Sequence, residues 1–228
     1  MTRQLYELVG EDPARRFSPY CWRIRMALAH KGLEAELVPW RFTEGERLAF
    51  AGTSNVPVLV DGDTVVHDST VIAEYLDEAY PNAPSLFHGD GAARRFAIAW
   101  TTTVLQPAVV RLIVSDVPAV LGETARGYFI ANREKRFGMS LAQVTAGREA
   151  ALPAFRALLV PLRSVLEGQH FLGGSEPDYA DYAVFGAFQW ARCTSPFQLL
   201  EAADPVHAWR TRMLDMFGGL ARNVPAFD

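Results

Sequence analysis

Cysteine is nearly absent: Cys21 and Cys193 are the only two in 228 residues. That is too few to staple a chain of this size, so a secreted disulfide scaffold is excluded. An excess of one charge sign is missing as well. Lysine plus arginine number 22 and aspartate plus glutamate 26, a formal net charge of -4. A balance that near neutrality argues against a protein built to wrap nucleic acid or coat an anionic membrane. No apolar run reads as approaching the roughly 18 to 20 residues that a bilayer span needs. Met1–Gly10 has no apolar stretch behind a basic start of the kind that marks a secretory leader. The five histidines (His30, His67, His88, His170 and His207) are scattered without ligand spacing, so no metal site is expected. No strand is followed by a glycine-rich phosphate fingerprint; Gly173-Gly174 reads as a turn and Gly218-Gly219 as a helix stop. What is present is a chain 50% hydrophobic, enough for a sizeable core. The expectation is a soluble, cytoplasmic globular protein with neither nucleic-acid nor membrane partners.

The first eighty residues alternate strand and helix patterns. Leu5–Val9 is a short apolar run closed by Gly10. Tyr20, Ile24, Ala27, Leu28 and Lys31 recur at helical spacing, with Gly32 as the stop. Glu36–Trp40 reads as a second strand, and 41–55 holds a short helix around Gly45–Ala51. Val56–Val60 is a third strand, turned by Asp61-Gly62-Asp63 into a fourth, Thr64–His67. A helix from Ser69 places Val71, Ile72, Tyr75, Leu76 and Ala79 on one face and ends before Pro81. A strand-helix-strand unit gives a parallel pair and a hairpin gives antiparallel strands, so residues 1–80 predict a small mixed sheet with helices packed on it. Residues 81–91, with Pro81, Pro84, Gly89 and Gly91, read as a linker. Residues 92–228 carry no strand pattern. Ala92–Val114, Leu141–Glu167, Tyr179–Arg192 and Glu201–Met216 read as helices, the third opened by a capping-box variant, Asp178 with Asp181.

Three short stretches carry the chemistry. In Phe17-Ser18-Pro19-Tyr20-Cys21-Trp22-Arg23, Ser18 stands where a loop enters a helix and Pro19 takes the first helical position. Unpaired N–H groups and a partial positive charge there favour an anion, and a hydroxyl adds one donor. In Asn55-Val56-Pro57 a proline opens a strand, where its missing N–H must be harmless or put to use. A cis Val56–Pro57 bond would turn the Val56 backbone toward a peptide-like ligand. Asp68-Ser69 opens the next helix: its hydroxyl and N–H groups suit a carboxylate while Asp68 suits an ammonium, the two charges of an amino-acid terminus.

In this order and spacing, Ser18, Val56-Pro57 and Asp68-Ser69 resemble the glutathione site of the glutathione transferases. Leu5–Tyr80 looks like their thioredoxin-fold domain, and the helical remainder, with its cap at Asp178–Asp181, is similar to their second domain. The resemblance covers nearly the whole chain. Phe17–Leu28 looks most like the bacterial β-etherases and related fungal-type serine enzymes, with some likeness to the zeta and tau classes. The resemblance implies an α/β thioredoxin-like domain with a mixed four-stranded sheet, followed by an all-helical domain. It also implies a homodimer, glutathione as co-substrate, a small apolar electrophile as acceptor, and no metal or nucleotide. The reaction implied is thiolate attack on carbon, including reductive aryl-ether cleavage. Ser18 would donate to the glutathione sulfur, Val56 beside Pro57 would pair with the tripeptide backbone, and Asp68 and Ser69 would hold the γ-glutamyl end. Asn55 stands where relatives often carry lysine or glutamine near the glycyl carboxylate, with Arg41 as a substitute. Phe17, Tyr20, Trp100 and Thr103 would line the acceptor pocket.

Two other readings compete. Ser18-Pro19-Tyr20-Cys21 also resembles the glutaredoxin Cys-Pro-Tyr-Cys site with its first cysteine replaced by serine, which points to a thiol oxidoreductase. A non-catalytic protein that binds glutathione or apolar ligands is the other. Cys21 is expected as a buried helix residue, Cys193 as core, and Arg133–Arg136 and Arg210–Arg212 as solvated helix faces.

Overall fold

The computed structural model describes residues 3–89 and 91–227. The chain opens with β1 (Arg3–Leu8), α1 (Pro19–His30), β2 (Glu36–Trp40), a 3-10 segment (Gly45–Ala51), β3 (Val58–Asp61), β4 (Thr64–His67) and α2 (Ser69–Ala79). The sheet order is β2-β1-β3-β4. β1 runs parallel to β2, with Leu8 opposite Trp40. It runs antiparallel to β3, where Tyr6 faces Val58, and Val58 in turn faces His67 of β4. This is a thioredoxin-like domain, and its register has one consequence for the site. The C-terminal ends of β1, β2 and β4 and the N-terminal end of β3 all lie at the same end of the sheet. β3 starts two residues later than the sequence pattern suggests, because Pro57 has no N–H to give a ladder.

A helical domain follows, with α3 (Gly91–Trp100), α4 (Gln106–Ile113), α5 (Glu123–Phe137), α6 (Leu141–Val144), α7 (Arg148–Leu158), α8 (Val160–Leu166), α9 (Tyr179–Thr194) and α10 (Pro205–Gly219). The stretch Leu141–Glu167 is not one helix. Gly147, at φ 73, separates α6 from α7, and α8 begins afresh with a proline in its first turn. A second expectation is also corrected: Gly91–Ile113, with a mean hydropathy of 1.4, is long and apolar enough by length and composition to cross a membrane. Three threonines, Thr101–Thr103, lie inside this run. Their hydroxyls turn back on the carbonyls of Ala97, Ile98 and Ala99 at 2.7–2.9 Å. The helix continues through them as a π segment, Thr101–Leu105.

α9 is the central post, buried along its whole length. It packs against α1 so closely that a Cβ on Gly186 would come within 2.3 Å of the Pro19 carbonyl oxygen. A glycine is required there to let the first turn of α1 rest on α9. Phe185 and Phe188 meet the Trp209 ring of α10 edge-on at 6.4 and 6.1 Å. The start of α9 is held by Asp181, which is 0% exposed. Its carboxylate accepts from the Leu172, Gly173 and Asp178 N–H groups and the Trp209 indole at 2.8–3.1 Å. Cys21 and Cys193 are both buried, as the sequence predicts.

Candidate functional site

Ser18 caps α1 through its side-chain oxygen, which accepts the Cys21 N–H at 3.2 Å, and Pro19 occupies the first helical turn. Accepting that bond uses a lone pair and leaves the O–H proton to be given elsewhere. Little of Ser18 is exposed (4%), so it offers one narrow contact rather than an open surface. Its loop is tied down on both sides. Glu11 N–H bonds Val120 O at 2.9 Å, and the Arg15 guanidinium donates to the Cys193 carbonyl at 2.8 Å. Fully buried Glu7 on β1 pairs with Arg16 of the loop at 2.6 Å and Arg25 of α1 at 3.5 Å.

The Val56–Pro57 peptide is cis, and Val56 lies outside the ladder, next to the start of β3. Asp68 stands at φ 71, in the left-handed region that a side chain rarely adopts. Such a residue stores about 1–3 kcal/mol and persists only where its surroundings fix it. Here its Oδ1 accepts from the Thr70 and Val71 N–H groups at 2.8 and 3.3 Å, so Asp68 is the cap of α2 as well as an exposed carboxylate. Ser69 is buried at the first position of α2. Ser18, Val56-Pro57 and Asp68-Ser69 therefore extend from neighbouring strand ends.

Two further residues of this region, Arg23 and Tyr179, are not among the site residues expected from the sequence. Arg23 is buried (2%) among the helices, its guanidinium over the Tyr20 ring at 4.7 Å, and among the described residues its Nε and Nη2 have no hydrogen-bond partner. The Tyr179 hydroxyl, at the start of α9, feels the Arg23 charge and lies beside the Ser69 and Thr70 hydroxyls. It closes no hydrogen bond of ordinary geometry. Buried donors left open in this way cost about 1–3 kcal/mol each, and the Tyr179 hydroxyl lies beside the N-terminus of α2, itself positive. Open donors beside a helix N-terminus are a cradle of the kind that suits a carboxylate. A basic residue inside the apolar run Cys21–Leu28 was the available clue.

The other site candidates are spread out. Asn55 is exposed, its N–H bonded to Thr53 Oγ1 at 3.2 Å. Arg41 approaches Glu44 at 3.8 Å from a half-exposed position. Of the acceptor-pocket candidates, Phe17 turns into the core against Phe42, Tyr20 lies under Arg23, Trp100 is half-buried, and Thr103 is exposed with its hydroxyl on Ala99. The Cys21 thiol is pushed up to about 12 by burial and by the Glu7 charge. It stays protonated at neutral pH, which is the wrong state for a redox nucleophile.

The build is that of a two-domain transferase fold. The family model of the glutathione S-transferase N-terminal domain matches residues 17–79, and that of the C-terminal domain matches residues 92–212. The chain belongs to the glutathione S-transferase family. Glutathione S-transferase Z1 of Arabidopsis thaliana is 44% identical over 86 residues, covering 34% of this chain and only 39% of that protein's length. The probable glutathione S-transferase GSTU6 of Oryza sativa subsp. japonica is 26% identical over 210 residues, 86% of this chain and 80% of its own. Among solved structures, glutathione transferase GSTFuA3 from Phanerochaete chrysosporium superposes with a TM-score of 0.76 at 25% identity, covering 96% of this chain and 92% of that one. A Ceriporiopsis subvermispora glutathione S-transferase solved in complex with glutathione shares the fold, with a TM-score of 0.74 at 21% identity over 99% of both chains.

Proposed function

We propose that this protein is a serine-type glutathione transferase: Ser18 stabilises the thiolate of glutathione, which attacks a small apolar electrophile held against the helical domain. The observation that carries the reading is the set of open donors on Arg23 and Tyr179 beside Ser69, at the same sheet end as Ser18. Together they suit the α-carboxylate of the γ-glutamyl group, with Asp68 for its ammonium and the Val56 backbone for the peptide. For the glycyl carboxylate we assign the Arg41 cation, since Asn55 is short and neutral.

The energetics suffice. A thiol with pKa near 8.5 must fall by about 1.5 to 2 to ionise at neutral pH, which takes about 2–3 kcal/mol. A helix terminus supplies about 0.3–1 kcal/mol and a hydrogen bond to a charged group about 1.5–3 kcal/mol. Dipole and hydroxyl together reach the requirement, whereas the dipole alone falls short. The thiol proton leaves to solvent, the sulfur forms a bond to the electrophilic carbon, and the leaving group departs with its electron pair. With an aryl ether that group is an aryloxide, the etherase-type reaction we favour from the residues around Ser18.

Arg23→Gln removes the cation of the cradle and keeps a side chain of similar reach. We expect the KM for glutathione to rise about tenfold, as for loss of one charge-assisted hydrogen bond, with a smaller change in kcat. Steady-state kinetics with several electrophiles, one of them an aryl-ether ketone, reads this directly. An unchanged KM would remove Arg23 from the site, and absence of turnover on every acceptor beside tight glutathione binding would favour a storage role.

We further propose a cytoplasmic homodimer. Val65 on β4, Val71 on α2, and Phe96 and Val104 on the Gly91–Ile113 run are 40%, 49%, 72% and 37% exposed, large apolar side chains that a second copy would cover. Sedimentation velocity at micromolar concentration should give a dimer, and Phe96→Asp should shift it toward monomer. A monomeric parent protein contradicts the proposal.

A further inference from the structure

Sequence reading places Arg133 on a solvated helix face, and the structure does not. Its guanidinium lies over Phe129 of the same helix at 5.0 Å and over Phe42 at 5.9 Å. Phe42 follows β2, whose C-terminal end lies beside that of β1, at the Ser18 end of the sheet. The rings form a chain: Phe129 to Phe42 at 5.4 Å, Phe42 to Phe17 at 6.3 Å, and Phe17 is the residue before Ser18. Phe17 and Phe129 are buried at 1% and 3%, while Phe42 and Arg133 stand half-buried above them. A chain of three rings thus runs from the residue before Ser18 to a cation, with Phe42 the half-buried member.

Among the described residues that cation pairs with no carboxylate. Among the described residues its side-chain hydrogen bond goes to the neutral amide of Asn132. The neighbouring Glu134 is spent on the Leu141 N–H at 3.1 Å. Glu44, on the Phe42 segment, is taken by Arg47 at 2.7 Å. Burial and the nearby Arg136 hold the Arg133 guanidinium below its ordinary range, the condition of a charge short of a counter-ion. Stacking on rings attracts the face of a guanidinium and leaves its N–H edge to bind an oxyanion.

Building on the transferase reading, we propose that Arg133 selects acceptors that are anionic aromatics: an electrophilic ring that stacks on Phe42 and carries a carboxylate or sulfonate remote from the reacting carbon. The residue positions substrate and takes no part in bond making.

Equilibrium binding separates this from the transferase reading itself. Two glutathione conjugates serve as probes, one made from chlorodinitrobenzene and one from a chlorodinitrobenzoate with its carboxylate opposite the reacting carbon. Calorimetry on the full chain should show the carboxylated conjugate bound about tenfold more tightly, the scale of one charge-assisted pair. Arg133→Gln should abolish that preference and leave the neutral conjugate within about twofold, and Arg133→Lys should restore part of it. Equal affinity for the two conjugates in the parent protein, or an equal loss for both in Arg133→Gln, overturns the proposal while the transferase reading stands. Binding of neither conjugate removes the transferase reading and the selectivity with it.

Discussion

Asp181→Ala is expected to lower the unfolding free energy by about 3–5 kcal/mol, the scale of a broken buried network. Four donors end on this one carboxylate: the Leu172, Gly173 and Asp178 N–H groups and the Trp209 indole. Alanine leaves all four open, the Asp178 N–H and the Trp209 indole buried and the Leu172 and Gly173 N–H groups half-buried, at about 1–3 kcal/mol for each buried one before the loop relaxes. The loss falls on α9, on which the first turn of α1 rests through Gly186, so stability and the site should weaken together. Chemical denaturation at several pH values measures it. Burial pushes the Asp181 carboxyl up to about 6, against the pull of its N–H donors, from a reference of 3.8. The folded chain therefore holds a proton there that the unfolded chain has released. The stability contributed by this group is fully present below about pH 4 and is lost as pH rises to about 6. The gap between parent and variant should accordingly narrow across that window. A loss under about 1 kcal/mol would mean that the four bonds are not what fixes the helix start.

Ser18→Ala is expected to cut kcat/KM for glutathione conjugation by about 10- to 100-fold at neutral pH, the kinetic equivalent of about 1.5–3 kcal/mol. The Ser18 oxygen also caps α1 by accepting the Cys21 N–H, and losing a cap costs about 1 kcal/mol of stability. Ser18→Thr, which keeps hydroxyl and cap, controls for that contribution. The KM for glutathione should change little, because the proposed binding rests on the cradle around Arg23 and Ser69. A rate loss that disappears at high pH, where free thiolate is abundant, would assign the serine to ionisation. A loss independent of pH would assign it to positioning.

Residues whose role is set by their own chain segment were legible in the sequence. Ser18, Asp68 and Asp178 announce themselves as helix caps, and Pro57 as a strand start, since capping and missing donors are local chemistry. The parallel pair followed from the strand-helix-strand order, and the hairpin from the Asp61–Asp63 turn. Arg23 and Arg133 were not legible. Nothing within a few residues of Arg23 says that α9 will bury it, or that Tyr179, 156 positions later, will share its pocket. Arg133 sits in the polar sequence Asn132–Arg136, and its aromatic partner Phe42 comes from another domain. The break inside Leu141–Glu167 was missed because Gly147 and Pro161 are tolerated in helical patterns until packing decides. The apolar length of Gly91–Ile113 was not legible either, because the Thr101–Thr103 hydroxyls are bonded to the preceding turn and no longer need water.

The account rests on one hydroxyl making a sulfur anion accessible, and a titration of bound glutathione tests it most directly. Thiolate absorbance, followed against pH with glutathione saturating the parent protein, should give an apparent pKa of about 6.5 to 7. With Ser18→Ala it should return to within about one of the free-thiol value near 8.5. Equal pKa values in the two proteins would contradict the account.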